Sequence, residues 1–363
     1  VLFRLLAIAW FTLCLTACAT QGTAQPTLVT IASPAMAGST QSETEGRLRA
    51  MLAAEQRLSL VFSRLTVAGA DLCTGGSAPW FGFRFWSADG FHPDIRAAAG
   101  AALGVEERRT VFFVAPDQPA GKAGVLPGDV LVGVLGKSLA SGPEGEKQFD
   151  ASIAGSLKTG ADVVFNFERA GVRRDVSMKP LPSCPMAAGL IVAAEPNAAT
   201  NGQLVIATTG LLAFASSDRD LATILGHEIA HAIRRHPQRV RSGATAGATA
   251  GLVLDLAIAA TTGVGSSTFT RLGGMAGYLQ YSVEFEMEAD YVGLYLAARA
   301  GYDVTGAAGI WKRLELAYPD IAEGGWSHPP SAQRFEAMSA AEREIAARRA
   351  RGEPLTPIYQ PDV

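Results

Sequence analysis

Two histidines four residues apart, His227 and His231, enclose an acid in the run His227-Glu228-Ile229-Ala230-His231. On a helix, positions i and i+4 share a face, so both imidazoles can grip one metal ion. Glu228 projects to the side of that pair, where it can take a proton from a water that the metal activates without being a ligand itself. The chemistry implied is zinc-assisted hydrolysis, because a zinc ion brings the pKa of its water down to about 7 and makes hydroxide available for attack on a peptide carbonyl. The alternative is an ordinary amphipathic helix with two surface histidines. The flanks supply the helix the metal reading requires. Ser217 to Asp220 reads as a capped start, and Leu221, Ile224, Leu225 and Ile229 fall at helical spacing.

A third ligand has to come from elsewhere. His236 follows His231 by five residues, without the glycine turn that places a third histidine on the metal in longer motifs of this kind, and Pro237 comes straight after it. It reads as a cation at the helix end, near the negative pole of the dipole. Further on, Tyr281 to Asp303 forms a second helical pattern stopped by Gly301. Glu286 and Asp290 stand four apart on one face of it, whereas Glu284 and Glu288 fall on other faces. Glu286 can complete a two-histidine, one-carboxylate site, and Asp290 can accept the free ring N–H of a liganding histidine. A plain charged helix face would show the same acids.

Taken together, these pieces resemble the M48 family of zinc metallopeptidases, the group that includes the CAAX-processing and HtpX-like proteases. The similarity runs from Asn197 through Gly301: a hairpin at Asn197 to Leu212, then L-G-H-E-I-A-H, then E-x-E-A-D before G-L-x-x-x-A-x-A-G-Y-D. The resemblance implies His227, His231 and Glu286 as ligands of one zinc ion per chain, Glu228 as general base, and Asp290 behind a liganding histidine. His328, in S-H-P-P-S-A-Q-R, resembles the H-P-x-x-x-x-R element that follows the catalytic helices of that family. Its imidazole could stabilise the oxyanion or occupy the fourth zinc position in a resting state.

A second module precedes this one. Thr110 to Lys137 reads as strand, short helix near Pro119, Pro-Gly turn, strand and Gly-Lys turn. It resembles a PDZ domain of the bacterial protease type, and Trp80-Phe81-Gly82-Phe83 resembles the peptide-binding loop of such domains, with Trp80 where glycine is more usual. That implies capture of a peptide carboxylate by backbone amides and pairing of an added strand. Ser87 to Glu107 reads as an insertion containing His92, and Gln148 to Leu157 as a helix beside the groove.

Leu2 to Leu15 is an apolar run whose only charge is Arg4, too short to span a bilayer. With Leu15-Thr16-Ala17-Cys18 after it, it resembles a bacterial lipobox, which implies acylation at Cys18 and a membrane anchor facing the periplasm, with Ala19 resembling the signal for the outer membrane. A plain secretory leader or an uncleaved anchor is the alternative. The mature chain then keeps Cys73 and Cys184, 111 residues apart. In an oxidising compartment they could pair, a closure that stabilises by roughly 4–5 kcal/mol in the chain-entropy model, or stay as two buried thiols. Ala244 to Val264 is apolar and small, but Asp255 near its centre favours a cover over the cleft above a membrane span.

The chain has 363 residues with 31 basic and 34 acidic side chains, a formal charge of −3 that becomes −4 once Arg4 leaves. No basic stripe points to nucleic acid. The expected fold is an α+β multidomain chain: leader 1–17, tether 18–42, helical segment 43–77, β-rich PDZ domain 78–184, α-rich zincin-type metallopeptidase domain with a small hairpin or sheet 185–350, and tail 351–363. The expected function is a zinc endopeptidase acting on envelope proteins, with the PDZ domain recognising substrate or partner peptides. The alternative is a zinc-containing chaperone or assembly factor that cuts little.

Overall fold

Thr40 opens the first helix, Gln41–Ala68, with a capping box: its hydroxyl accepts from the Glu43 N–H, and the Glu43 carboxylate accepts from the Thr40 N–H at 2.8 Å. Leu48, Met51, Glu55, Leu58, Phe62 and Leu65 recur at helical spacing and are all buried. This computed structural model describes residues 40–242, 282–318 and 332–359. The leader, Cys18, the 244–264 tract and His328 lie outside the described residues. No helix among the described residues is long and apolar enough to cross a membrane.

The chain is a mixed helix and sheet structure. Strands β1 (Ala78–Trp80), β2 (Phe83–Trp86), β3 (Arg109–Val114), β4 (Val130–Val134), β5 (Lys137–Ser138), β6 (Val163–Arg169) and β7 (Val172–Met178) belong to its first half. A sheet runs β2-β3-β4-β6-β7 with β5 on β4, all antiparallel, and β2 lies at its edge. Its core is aromatic: Phe83 packs edge-on against Phe149, Phe165 and Phe167. Phe149 sits on a helix that runs Gly142–Ile153, earlier than the 148–157 span expected, since Gly142-Pro143 starts it and Ala154-Gly155 ends it. The insertion forms a short helix, Arg96–Leu103, and His92 is exposed there.

The first helix joins the two halves. On one side Glu55 meets Arg84 of β2 at 2.7 Å in a buried ion pair, and Gln56 donates to the Phe112 carbonyl. On the other, Arg57 donates to the carbonyls of Leu212 and Ala215 and pairs with Asp218. Beyond that helix, β1 pairs with β8 (Leu181–Ser183), and Cys73 and Cys184 are joined in a disulfide. A three-stranded sheet follows, β10 (Ala198–Thr200), β11 (Leu204–Thr208) and β9 (Ala187–Ile191), with β9 parallel to β11. The hairpin read at Asn197 to Leu212 is β10–β11, but its last residues turn into a short helix, Thr209–Phe214, capped by Thr208.

Two helices form the centre of the second half, Asp218–Ile233 and Ser282–Arg299. Ser217 accepts from the Asp220 N–H at the start of the first. Every residue from Asp220 to Ile233 is buried, as in a helix surrounded by core. Their crossing is set by two glycines: a methyl group at Gly226 would lie 2.8 Å from the Gly293 carbonyl oxygen, and one at Gly293 would lie 2.7 Å from the His227 nitrogen. Backbone therefore touches backbone beside His227. Gly293→Ala must push the helices apart, and overpacking of this kind costs about 1–3 kcal/mol. The same shift carries Glu286 away from the histidines, so weaker metal retention is expected along with a lower denaturation midpoint; an unchanged midpoint would show that the crossing is not tight.

Candidate active site

The helix Asp218–Ile233 holds His227 and His231 one turn apart, and Ser282–Arg299 brings Glu286 and Asp290 to the same face of the crossing. His227 Nε2 lies 3.0 Å from His231 Nε2, and the Glu286 carboxylate oxygens lie 3.4 Å and 3.3 Å from these two nitrogens. One ligand atom from each of His227, His231 and Glu286 falls within 4.8 Å of the others, and all three side chains are buried. Tetrahedral ligands at zinc distances of about 2.0–2.1 Å stand about 3.3–3.4 Å apart, so the donor set and its spacing fit a zinc ion. Glu228 is 1% exposed and adjoins His227 in sequence, outside the three-ligand group.

Behind the donors the two histidines have different supports. His227 Nδ1 faces Asp290 Oδ1 at 2.9 Å, which fixes that ring with Nε2 toward the site. Asp290 is in turn gripped by Arg334, from Nε at 2.8 Å and Nη2 at 2.9 Å, and Nη1 of the same guanidinium lies 3.1 Å from Glu286. Arg334 also stacks 5.1 Å over Trp311, whose ring meets His227 edge-on. In the sequence Arg334 is only the end of a motif, with no partner in view. The signal was there in the H-P-x-x-x-x-R spacing, but its partner carboxylates lie more than forty residues earlier.

His236 corrects the sequence reading. It is 2% exposed and does not sit at the end of that helix: the helix ends at Ile233, Arg235 takes a left-handed turn at φ 59°, and His236-Pro237 begins another helix, 236–242. Proline suits the first turn of a helix, where its missing N–H is not needed. The turn folds His236 back onto His231, with the two Nδ1 atoms 2.9 Å apart. Glu288 is likewise 5% exposed, not on a solvated face, and sits 2.9 Å from His236 Nε2.

Burial alone would lower the pKa of both metal-facing histidines in metal-free protein. At His227 the carboxylates of Asp290 and Glu286 outweigh it and raise the value to about 10. At His231 burial and the neighbouring His227 charge act together and push it down to about 4. His227 therefore carries a proton at neutral pH that a metal must displace. Zinc uptake is expected to release about one proton per chain near pH 7 and to tighten as pH rises. Calorimetric titration in two buffers of different ionisation enthalpy counts it; a count of zero would contradict this charge arrangement.

The residues read as a peptide-binding loop, whose expected contacts are main-chain amides, have structural side chains. Phe81 and Phe83 are fully buried core side chains, Trp80 belongs to β1 and donates to Gln118 Oε1 at 2.5 Å, and Gly82 turns the chain at φ 87°. The carbonyls of Phe81 and Gly82 accept from the Ala120 and Ala115 N–H groups, each at 2.8 Å.

Residues 173–342 match the model of Peptidase family M48. The chain is 33% identical over 138 residues to the mitochondrial metalloendopeptidase OMA1 of Arabidopsis thaliana, covering 38% of this chain and 27% of that protein. It is 37% identical over 124 residues to a putative beta-barrel assembly-enhancing protease of Vibrio cholerae serotype O1, covering 32% and 25%. To the mitochondrial metalloendopeptidase OMA1 of Saccharomyces cerevisiae it is 31% identical over 154 residues, covering 40% and 43%. The chain thus spans less than half the length of these curated relatives. Among solved structures, the PDZ domain of HtrA3 bound to a phage-derived ligand aligns over 29% of this chain and 86% of that one at 19% identity with a TM-score of 0.21. The HtrA-type protease AlgW with a decapeptide aligns over 29% and 30% at 21% identity and 0.22.

Proposed function

We propose that this chain is a zinc-dependent endopeptidase of the M48 type that cleaves protein chains in the bacterial envelope. The observation that carries the reading is the convergence of His227, His231 and Glu286 from two helices, at ligand spacing, with Glu228 adjoining them. A zinc ion bound there supplies Lewis acidity, lowering the pKa of a water to about 7 and polarising the scissile carbonyl. His227, His231 and Glu286 would hold that ion, while Asp290 and Arg334 keep His227 and Glu286 aimed at the site. Glu228 takes a proton from the attacking water and delivers it to the amide nitrogen that leaves.

In this reading the β-rich first half presents peptides through main chain at the β2 edge, and the first helix holds that half against the catalytic one. The lipobox-like Cys18 anchors the protein by its acyl chains to a membrane, outer rather than inner, with the body in the periplasm. Protein quality control is the role that suits such a placement. Incubating β-casein and a denatured outer-membrane protein with zinc-loaded protein should give internal fragments, lost with 1,10-phenanthroline and regained on adding zinc. Cleavage indifferent to the chelator would refute the metal mechanism. Saturable binding of these chains without cleavage would favour the chaperone reading.

A further inference from the structure

His231 faces the site with Nε2 and faces a second histidine with Nδ1, and that second contact determines whether Nε2 can serve as a ligand. One proton lies between His231 Nδ1 and His236 Nδ1, which are 2.9 Å apart. If His231 owns it, Nε2 keeps its lone pair for a metal, His236 Nδ1 accepts, and His236 must carry its own proton on Nε2, where it donates to Glu288 Oε2 at 2.9 Å. If His236 owns it instead, the neutral His231 carries its proton on Nε2 and cannot bind metal there. His236 would then turn a bare Nε2 lone pair toward an anionic carboxylate at hydrogen-bond distance, which is repulsive. Between these two neutral arrangements, the charge on Glu288 therefore selects the one in which His231 is a ligand.

The surroundings hold this chain of groups still. Glu288 is kept ionised and in place by Arg234 and, at 3.4 Å, by Arg239. The His236 ring lies flat on Phe285, with centroids 4.3 Å apart and planes 8° from parallel, and Arg239 sits 4.3 Å over the same phenyl ring. His236 and Glu288 are 2% and 5% exposed, so bulk water does not compete for these bonds. We propose that His236 and Glu288 are positioning residues that set the tautomer and ring orientation of His231 through a two-step hydrogen-bond relay. The contrast with His227 is direct: there a carboxylate, Asp290, touches the ring itself, whereas at His231 the carboxylate acts through an intervening imidazole.

This inference rests on the zinc reading of the site, and its test separates the two. Zinc affinity is measured by chelator competition on the full chain, and the visible spectrum of the cobalt(II)-loaded protein reports the ligand field. His236→Phe keeps the stacking on Phe285 but removes both hydrogen bonds; Glu288→Gln keeps shape and an acceptor oxygen but removes the charge. Each is expected to weaken zinc binding about 10–100-fold and to shift the cobalt bands. The double variant should bind zinc no worse than His236→Phe alone, because without the imidazole Glu288 has no route to His231. Additive losses in the double variant, or single variants with wild-type affinity and spectrum, overturn the relay while the zinc site stands. Wild-type protein that binds no zinc after reconstitution overturns both. Should His236→Phe fail to fold, Glu288→Gln alone decides, since unchanged affinity and spectrum there contradict the selection argument.

Discussion

Glu228→Gln is expected to lower peptide-bond cleavage by about 10²–10⁴-fold while one zinc ion per chain is still bound. Gln and Glu have the same shape, and the side chain is 1% exposed in a packed helix, so neither the helix nor the three donor groups need move. What disappears is a group able to accept a proton from the attacking water and return it to the leaving amine. The loss should therefore fall on kcat, with KM little changed, since the interaction removed is one made in the transition state. A quenched-fluorescent peptide and a metal assay on the same preparation measure both halves. A variant that cuts at the wild-type rate would place the base elsewhere, and one that loses its zinc would make Glu228 a ligand.

How much of this site could be read in advance depends on where each partner lies along the chain. Helical geometry, which links i to i+4 without knowledge of tertiary structure, pairs His227 with His231 and Glu286 with Asp290, and it is the resemblance to M48 proteases that joins the two pairs in one site. His236 was not legible in this way. Its place depends on the left-handed turn at Arg235, which lets Pro237 begin a helix where the sequence pattern suggested an end. Glu288 faces away from Glu286 on its own helix, so only the return of the chain at His236, 52 residues away in sequence, turns it from a surface acid into a buried partner. Gly226 and Gly293 are each unremarkable as residues within a helix; their effect exists only in the crossing of the two. In the first half, the resemblance of Trp80 to Phe83 to a binding loop does not show that Phe81 and Phe83 are core side chains.

Arg334→Ala is expected to be the most destabilising single change at the site, by about 3–5 kcal/mol, because it removes one partner from a buried charge cluster and leaves the others uncompensated. The guanidinium is 3% exposed and meets Asp290 through two nitrogens and Glu286 through the third. Burial alone would push Asp290 above the usual carboxylate range; Arg334 and His227 outweigh it and hold its pKa below that range. A carboxyl depressed in this way contributes stability that is complete above its unfolded pKa of about 3.9 and is lost as pH falls through the folded value. Without Arg334 the folded pKa rises, so acid unfolding of the variant should begin at higher pH than in the wild type. Zinc provides a second positive charge beside Glu286 but none beside Asp290, so the variant should be more destabilised when stripped than when loaded. Combining Arg334→Met with Asp290→Asn removes both members of the strongest pair and keeps an oxygen to accept from His227 Nδ1. That double variant should regain part of the lost stability, since replacing a buried ion pair costs less than halving it. Denaturant midpoints with and without chelator compare all three proteins. If Arg334→Ala unfolds at the wild-type midpoint, or the double variant unfolds before the single, the cluster does not hold the crossing together.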